Sequence, residues 1–577
     1  MVGGDPPVIG GGLPMVGGDP PVIGGDPPVI GGDPPVIGGD PPMVDGASSV
    51  TDGALSPLVH SRAPLLPVAL LLILSVLFRL PALLNTGAVD SDSAIVGLKA
   101  MHILHGELSP FLLGSGYQTS VDSFVAAGFF ALLGPTPLAL MLSTFVGHLA
   151  LLGFAFATLR RHVRPWLAAA LVLPLVFTPS PLHTYILGPP RQAALTLVFA
   201  SIWLTDDAAR RPAPLVRYAI GSALACLACY ADPYALLFLP ALGLHALLAS
   251  HDGRSATFVR DPVARRRVAS CLAGAVAGVL PLLWLWRRPE SVHGELGFLR
   301  TILDHNWALL TDECLPWILS TTAYYSKGHG LAYGPWEAPR IVRALQLAGA
   351  AVFVAGILFA FVALRMKRIP WEVRRLGVVG AIMLPITIGG FLVSVMVMDL
   401  FSSRYLAALV LMSPFALAPL AGRLGWKRLL LILAPYLTSA GVCGWVGYGD
   451  EVRGAHVVEL PAEGAGDERA LLGMLEDRGI HAAIADYWVS YRLTFLSREA
   501  VVVVPIHERE DRYPAYRTTY AGATRAAYIF DPKRSREQLS VMEAEAFSGP
   551  SPSRWGSPVE RLHSGSLTAV VFDKPAL

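Results

Sequence analysis

Two aspartates lie just beyond the first long hydrophobic segment of the chain. Asp90 and Asp92 are separated by one serine, and apolar residues at helical spacing follow them. Acidic side chains are costly near a bilayer, so those kept at the end of a membrane span are candidates for function. Asp92 either caps the following helix, whose dipole favours a carboxylate there, or serves as a general base or metal ligand facing a groove at the membrane surface.

The composition indicates that most of the chain lies in a membrane. Of the 577 residues, 53% are hydrophobic and 15% are charged, whereas about 25% are charged in a typical soluble protein. This excludes a soluble enzyme of the same size and a chain that is disordered throughout. The formal net charge of +2 gives no basis for nucleic-acid binding, and five cysteines give no disulfide framework.

Long apolar runs predict about eleven membrane-spanning helices. A span needs roughly 20 apolar residues, and runs of that kind begin at Leu65. The predicted spans are 65–84, 138–159, 165–181, 192–205, 217–231, 234–250, 268–286, 341–364, 375–397, 405–421 and 427–447. These helices have to position the acidic residues of the loops.

The basic residues of the connecting loops predict the orientation of the chain. One set of loops holds most of the arginines and lysines, and the opposite set holds fewer over a longer stretch of chain. Because basic residues stay on the cytoplasmic side, we expect a cytoplasmic N-terminus. An odd number of spans then places the C-terminus outside the cytoplasmic (inner) membrane, in the cell envelope.

Two predicted outer loops, roughly 85–137 and 287–340, are too long to be simple connections. In the first loop, apolar residues recur at helical spacing in two places: Ile95, Leu98, Met101 and Leu104, then Phe124, Phe129 and Leu132. Amphipathic helices of this kind lie in the membrane interface. The alternative is that 119–133 crosses the membrane, which would invert the orientation of everything downstream.

The two ends of the chain differ from this membrane domain, which we place at 63–449. Residues 1–62 contain repeats of Gly-Gly-Asp-Pro-Pro-Val-Ile, whose paired prolines and glycines prevent regular structure. We therefore interpret 1–62 as a disordered tail. Residues 450–577 have the composition of a soluble domain outside the cytoplasmic membrane.

Helix and strand patterns alternate in 450–577 and predict a small α/β domain. The predicted helices are near 467–478 and 535–547, and the predicted strands are His481–Ala485, Ala500–Pro505, Ala526–Phe530 and Leu567–Phe572. The predicted fold class is thus an α-helical polytopic membrane protein with a small C-terminal α/β domain.

A pattern of acidic, small and glycine residues follows the first span. After Arg79, the stretch from Asp92 to Gly106 reads D-S-A-I-V-G-L-K-A-M-H-I-L-H-G, and Gly116 to Asp122 reads G-Y-Q-T-S-V-D. The first stretch resembles the D-E-A-x-x-A-x-x-A-x-x-x-x-x-G loop of the GT-C glycosyltransferases, and the second is similar to their G-Q-x-Y-x-G-S-L-E segment. The relatives are protein O-mannosyltransferases, the aminoarabinose transferase of lipid A and bacterial transferases grouped with them. The resemblance covers 65–205 and is loose over the later spans.

This resemblance implies a polyprenyl-phosphate-linked sugar as donor and a glycan, lipid or protein acceptor on the outer side of the bilayer. The implied mechanism is inverting: a carboxylate deprotonates the acceptor hydroxyl, which attacks the anomeric carbon and expels the lipid phosphate. By position, Asp92 matches the base, and Asp122 matches the second acidic residue of the family, which would help orient the acceptor.

Arginines are the candidates for binding the departing phosphate. Arg404, in Ser-Ser-Arg-Tyr at the outer start of the tenth predicted span, offers bidentate donors suited to phosphate, and family members often carry an Arg-Tyr pair there. The alternative for Arg404 is snorkelling to the interface beside a tyrosine. Arg191, in the second outer loop, is a further source of positive charge.

The second outer loop departs from the family pattern. Several relatives place an acidic metal ligand there, whereas this chain has His183 and Arg191. A divalent metal is therefore the one cofactor left open, with Asp92 and His183 as its ligands. Accessory candidates for the site are Asp90, His183, Tyr117 and Asp232. Asp232 precedes a proline, which is also an ordinary turn signal.

In the C-terminal domain, Asp486-Tyr-Trp and Tyr491-Arg would form either a sugar-stacking surface or part of the domain's own core. Two other classes of function compete with the transferase. A transporter or lipid flippase would have related sequence halves and polar residues near the bilayer midplane. The predicted spans show no convincing repeat of this kind. A non-catalytic membrane scaffold would leave Asp92, Asp122 and Arg404 without a shared purpose.

Overall fold

The computed structural model describes residues 65–84, 89–186, 188–210, 214–250, 261–288, 300–326, 333–447, 466–530, 557–565 and 567–574. The tail predicted at 1–62 and the helix predicted at 535–547 lie outside the described residues, as does the predicted domain boundary at 449–450. The description that follows concerns the described residues.

Helices of the membrane domain lie where the apolar runs predict them. Several begin at a proline or follow a capping residue; α4, for example, begins with Pro137, and the Thr136 hydroxyl accepts a hydrogen bond from Ala139 N. In chain order the helices are α1 (Leu65–Leu84), α2 (Ser91–Leu104), α3 (Val121–Leu133), α4 (Pro137–Leu159), α5 (Pro165–Val176), α6 (His183–Ile186), α7 (Gln192–Ala208), α8 (Leu215–Ala231), α9 (Leu239–Ser250), α10 (Pro262–Trp286), α11 (Arg300–Leu309), α12 (Leu315–Ile318), α13 (Arg340–Ala363), α14 (Trp371–Ala381), α15 (Met383–Val393), α16 (Ala407–Leu411), α17 (Ser413–Ala416), α18 (Ala418–Ala421) and α19 (Trp426–Val446).

Eight helical segments of the described part are long and apolar enough to cross a membrane. They are 65–84, 137–159, 233–250, 262–286, 340–363, 371–393, 400–421 and 426–446. The other three predicted spans correspond to α5, α7 and α8, which are 12, 17 and 17 residues long. The chain is a multi-pass membrane protein, and the number of eleven spans stays a prediction.

The C-terminal domain is a mixed sheet with helices between its strands. Its helices are α20 (Gly466–Glu476), α21 (Tyr487–Leu496) and α22 (Pro514–Gly522). Its strands are β3 (Ala482–Ala485), β4 (Val502–Pro505), β5 (Arg525–Phe530), β6 (Ser557–Ser564) and β7 (Leu567–Asp573), while β1 (Tyr324–Ser326) and β2 (Tyr333–Pro335) form a separate hairpin in the membrane domain. The sheet order is β4-β3-β5-β7-β6; β3 is parallel to β4 and β5, and the pairs β5–β7 and β7–β6 are antiparallel.

The four predicted strands coincide with β3, β4, β5 and β7, and the helix predicted near 467–478 coincides with α20. The sequence analysis missed α21, α22 and β6. Helix α21 follows β3 after one residue, Asp486, and most of its residues are buried. It therefore lacks the amphipathic period by which helices are found in a sequence.

Helix α2 differs from the predicted interfacial helix, because the C-terminal domain covers it. Eleven of its 14 residues are buried. Residues of α2 and α3 form one apolar cluster with Ile484 of β3 and Phe495 of α21. The sheet therefore packs one face against the membrane domain, while its other face packs on α20 and α21.

Helix α3 agrees better with an interfacial position. Its 13 residues span about 20 Å, less than the roughly 30 Å of a hydrocarbon core. Leu132 is 85% exposed, and on the opposite side the Phe130 ring stacks on Phe495 of the C-terminal domain. These contacts favour the interpretation in which 119–133 lies beside the C-terminal domain and does not cross the membrane.

Contact between α2 and α21 limits the number of membrane crossings between them. Seven of the eight long segments follow α3, and seven crossings would separate α2 from the C-terminal domain. Because the two helices pack against each other, an even number of crossings must lie between them. If all seven long segments cross the membrane, α5, α7 and α8 contribute an odd number of crossings.

Candidate active site

A cavity of about 120 Å³ lies between the start of α2, the loops of the membrane domain and the C-terminal domain. Five residues predicted for the site line this cavity: Asp90, Asp92, Tyr117, Arg191 and Arg404. Three others, Asp122, Asp232 and His183, lie outside its wall. The structure thus brings Asp92 and Arg404 to one cavity although more than three hundred residues of chain separate them. Asp122 lies outside the wall of this cavity.

Asp90, and not Asp92, caps helix α2. The Asp90 carboxylate accepts a hydrogen bond of 2.8 Å from Ser93 N, and its backbone is extended, as in other N-caps. Burial and the neighbouring Asp92 raise the pKa of Asp90. Asp92 lies in the first turn of the helix and lines the cavity, so the capping interpretation of Asp92 does not hold.

Two serines hold the start of α2 in place on either side of Asp92. The Ser91 hydroxyl donates to the carbonyl of Tyr487 at 2.7 Å, and the Ser93 hydroxyl donates to the carbonyl of Pro189 at 3.1 Å. One bond reaches the C-terminal domain and the other reaches the second outer loop. The position of Asp92 therefore depends on both.

Tyr487 and Arg512 bring the C-terminal domain into contact with Asp92. The Tyr487 hydroxyl donates to Asp92 Oδ1 at 2.6 Å. Arg512 donates to the same hydroxyl from Nε at 3.3 Å and from Nη2 at 3.2 Å, and its Nη1 donates to the carbonyl of Gly114 at 3.1 Å. Burial, followed by the charge of Asp92, raises the pKa of Tyr487, so this hydroxyl keeps its proton.

Strand topology explains why these two residues meet at the cavity. Tyr487 follows the carboxyl end of β3 after one residue, and Arg512 follows the carboxyl end of β4. Because β3 and β4 are parallel, their carboxyl ends meet at one edge of the sheet, where α/β proteins commonly bind ligands. Gly114 permits close approach: it has φ +61, and a Cβ atom there would lie 2.4 Å from the Arg512 Cα.

Arg191 is held by a carboxylate and three tyrosine rings. Its Nε lies 3.3 Å from Asp232 Oδ2, and its Nη1 donates to the Tyr185 hydroxyl at 3.1 Å. The guanidinium carbon lies 5.5, 5.7 and 5.9 Å from the ring centroids of Tyr185, Tyr234 and Tyr405, within cation–π range. The charge of Arg191 is therefore largely compensated by the protein.

Asp122 and Asp232 hold the loops that line the cavity. Asp122 accepts hydrogen bonds of 2.9 Å from the backbone N–H groups of Arg191 and Ala193 at the start of α7. Arg191 has φ 99, in the left-handed region, where strain persists only if neighbours fix it. Burial raises the pKa of Asp122 to about 6, although these two N–H groups lower it. Asp232 also accepts from Gln118 Nε2 at 2.9 Å.

Arg404 places a positive charge at the cavity, and this charge partly offsets the rise in the pKa of Asp90. It lies in a 3₁₀ turn, Leu400–Leu406, which a capping box of Asp399 and Ser402 begins. Its guanidinium carbon lies 5.4 Å from the Tyr405 ring centroid. Among the described residues it forms no salt bridge, and its buried Nε has no hydrogen-bond partner. An arginine in this state is suited to an anionic ligand.

The described residues do not fit the metal site that the sequence left open. His183 lies outside the cavity wall, and burial together with Arg79 lowers its pKa to about 3. Within the described ranges, no group of three or more His, Cys, Asp or Glu side chains is placed to hold a metal ion. The pairing of Asp92 with His183 is therefore not supported.

Arg512 and Gln118 were not among the predicted site residues. Arg512 could have been found because it follows the predicted strand Ala500–Pro505, and ligands commonly bind at the edge where parallel strands end. Of the predicted aromatic cluster, Tyr487 reaches the cavity region, whereas Tyr491 accepts a hydrogen bond from the Arg512 backbone. Asp486 caps α21, so the cluster serves both the site and the domain core.

Comparison with known proteins identifies the fold. No protein-family model and no curated protein matches the sequence. ArnT from Cupriavidus metallidurans, solved with undecaprenyl phosphate bound, matches with a TM-score of 0.51 and 12% identity over 88% of this chain and 97% of that one. The apo state of that ArnT matches with a TM-score of 0.43 and 13% identity, over 88% of this chain and 97% of that one. The apo oligosaccharyltransferase of Archaeoglobus fulgidus matches with a TM-score of 0.44 and 11% identity, over 84% of this chain and 70% of that one. The chain therefore has the fold of the undecaprenyl-phosphate-bound ArnT, as the resemblance to the GT-C superfamily predicted.

Proposed function

We propose that this protein is an inverting glycosyltransferase of the GT-C type, acting at the outer face of the cytoplasmic membrane. It would move a sugar from a polyprenyl phosphate in the bilayer to a hydroxyl of a glycan, lipid or protein. The observation that carries the proposal is one cavity lined by the Asp92 carboxylate and by Arg404, which forms a salt bridge with no described residue. The fold shared with ArnT, solved with undecaprenyl phosphate bound, supports it.

Asp92 is the general base of this mechanism. Its carboxylate accepts the proton of the acceptor hydroxyl while the acceptor oxygen forms a bond to the anomeric carbon of the sugar. The bond from that carbon to the phosphate oxygen breaks, and its electron pair leaves with the phosphate. Attack from the face opposite the phosphate inverts the configuration. The products are the glycosylated acceptor and polyprenyl phosphate.

Arg404 stabilises the charge that develops on the departing phosphate. Of the two arginines that the sequence predicts for this role, Arg191 already pairs with Asp232, while Arg404 has no carboxylate partner among the described residues. A fixed guanidinium donates two parallel hydrogen bonds to phosphate oxygens. Arg404 is therefore the principal ligand, and Arg191 adds positive potential and shapes the wall.

Asp122 and Asp232 take positioning roles in this proposal. Asp122 was expected to orient the acceptor, but its carboxylate is occupied by the N–H groups of Arg191 and Ala193. Asp232 holds Arg191 and Gln118. Both act on the substrates through the loops that they fix.

A transfer assay tests the proposal. Membranes containing the full chain would be incubated with a panel of radiolabelled polyprenyl-phosphate sugars, and wild type would be compared with Asp92→Asn. Loss of a general base lowers the rate by about 100-fold or more. Asp261→Asn is the matched control, because Asp261 also begins a helix and caps it through Val263 N, a bond that asparagine retains. Unchanged transfer by Asp92→Asn would refute the assignment.

A further inference from the structure

We infer that the C-terminal domain is part of the active site and that Tyr487 and Arg512 are positioning residues, which hold the Asp92 carboxylate and aim it at the acceptor. The inference rests on the proposed function, since it concerns the base of that reaction. The inference assigns to the C-terminal domain a role that neither its composition nor its secondary structure predicts.

Hydrogen-bond directions give the first argument. An arginine side chain has donors only, so Arg512 occupies lone pairs of the Tyr487 oxygen. The single hydroxyl hydrogen of Tyr487 is then left for Asp92 Oδ1, at 2.6 Å. A bond of this length to a carboxylate is in the range of charge-assisted hydrogen bonds. It leaves the second oxygen, Oδ2, to accept the proton of the acceptor hydroxyl.

Charge around Asp92 gives the second argument. The carboxylates of Asp90 and Asp92 line the same cavity, and their like charges repel each other. The Tyr487 hydroxyl, hydrogen-bonded to Asp92, and the positive charge of Arg512 behind it offset this repulsion. The titratable and charged side chains around the cavity are Asp90, Asp92, Tyr117, Tyr185, Arg191, Arg404, Tyr405, Tyr487 and Arg512.

The packing of the two domains gives the third argument. Arg512 is bonded to the Gly114 carbonyl, and the Tyr487 carbonyl accepts from Ser91. Both contacts join the C-terminal domain to the membrane domain without a substrate. At Gly97 of α2 a Cβ atom would lie 2.7 Å from the Phe495 ring, so the approach of α21 is as close as a glycine permits. The arrangement is therefore built into the folded chain.

Chemical labelling of Asp92 tests the inference without a substrate. The full-length protein in membranes would be treated with a hydrophobic carbodiimide, which reacts with protonated carboxyl groups, over a range of pH. Mass spectrometry of the fragments would resolve Asp92 from Asp90. In Tyr487→Phe the carboxylate loses a donor, so the labelling midpoint of Asp92 should move to higher pH. Arg512→Gln should move it in the same direction.

Transfer kinetics provide the second readout. With a sugar donor that the wild type uses, Tyr487→Phe should lower kcat about tenfold with little change in KM. The acid limb of the pH profile should shift to higher pH. Arg512→Lys, which keeps the charge, should recover much of the activity lost in Arg512→Gln. The control is Tyr513→Phe, which removes a hydroxyl bonded to Glu107 at the same domain interface and should change neither readout.

The outcomes separate the inference from the proposed function. If no donor in the panel is used by the wild type, the proposed function fails, while the labelling still reports on Asp92. If the wild type transfers sugar but Tyr487→Phe keeps the wild-type labelling midpoint and kcat, the inference is overturned. Should Tyr487→Phe fail to fold, Arg512→Gln decides the question by the same two readouts.

Discussion

The hydroxyl of Tyr487 donates a hydrogen bond of 2.6 Å to the carboxylate of Asp92, although 395 positions separate the two residues in the chain. Asp92 lies in the first turn of a helix of the membrane domain, and Tyr487 begins a helix of the C-terminal domain. The cavity that carries the proposed chemistry is thus completed only when the two domains pack together.

Arg404→Gln should weaken the binding of undecaprenyl phosphate by roughly 10- to 100-fold, because hydrogen bonds to a charged group contribute about 1.5–3 kcal/mol. The affinity of Arg404→Lys for undecaprenyl phosphate should lie between those of wild type and Arg404→Gln, since lysine keeps the charge but loses the bidentate geometry. Equilibrium binding of undecaprenyl phosphate to the purified protein measures the effect. Arg300→Gln is the control, because the Arg300 side chain is 92% exposed. Equal affinities of Arg404→Gln and wild type would contradict the phosphate role.

Asp122→Asn should destabilise the protein by about 1–3 kcal/mol. Each carboxylate oxygen of Asp122 accepts one backbone N–H, whereas an asparagine would turn its NH₂ group toward one of these donors. The measurement is the unfolding temperature in detergent, together with undecaprenyl phosphate affinity, which should fall as Arg191 shifts. Asp261→Asn serves as control, since among the described residues the Asp261 carboxylate accepts from one N–H group, that of Val263. Wild-type stability in Asp122→Asn would exclude this positioning role.

Gly97→Ala should lower both stability and transfer activity. Its Cβ would lie 2.7 Å from the Phe495 ring, and separating α21 from α2 would disturb the contact between Tyr487 and Asp92. Gly128→Ala in α3 is the matched control, because nothing lies within 4 Å of a Cβ atom there. Alanine is about 1 kcal/mol more favourable than glycine in a helix, so Gly128→Ala should be neutral or stabilising. The opposite order of unfolding temperatures would show that the close approach is unimportant.

Glu499 should make the domain interface sensitive to acid. Burial opposes its ionisation, but hydrogen bonds from His102 Nε2 at 2.7 Å and from the Tyr516 hydroxyl outweigh burial and lower the pKa of Glu499. Because the folded pKa is depressed, the stabilisation is complete above the unfolded pKa of about 4.3 and is lost as the pH falls through the folded value.

The measurement is the unfolding temperature of wild type and Glu499→Gln between pH 7 and pH 3. The difference between the two should be constant above about pH 5 and should shrink at lower pH. Glu476→Gln, at the exposed end of α20, should show no such difference. A difference that persists unchanged to pH 3 would contradict the predicted linkage.

Much of the fold follows from local patterns in the sequence. The first predicted span, 65–84, coincides with α1. The predicted strand Ala526–Phe530 lies within β5, and the predicted strand Leu567–Phe572 lies within β7. An apolar run of spanning length predicts a membrane helix, and a short run of β-branched residues predicts a strand. Each of these segments can therefore be recognised from its own residues. Helix α21 carried no such signal, because it is buried on nearly all sides.

The sequence by itself determined the membrane class, the α/β character of the C-terminal domain, and Asp92 and Arg404 as candidates for one site. Only the tertiary structure decided that Asp90 is the helix cap, that Asp122 fixes the Arg191 loop, and that Tyr487 contacts Asp92 while Arg512 contacts Tyr487. The physical reason is the range of the interactions. Helices and strands arise from neighbours a few residues apart, whereas the cavity depends on packing between segments hundreds of residues apart, which periodicity does not encode.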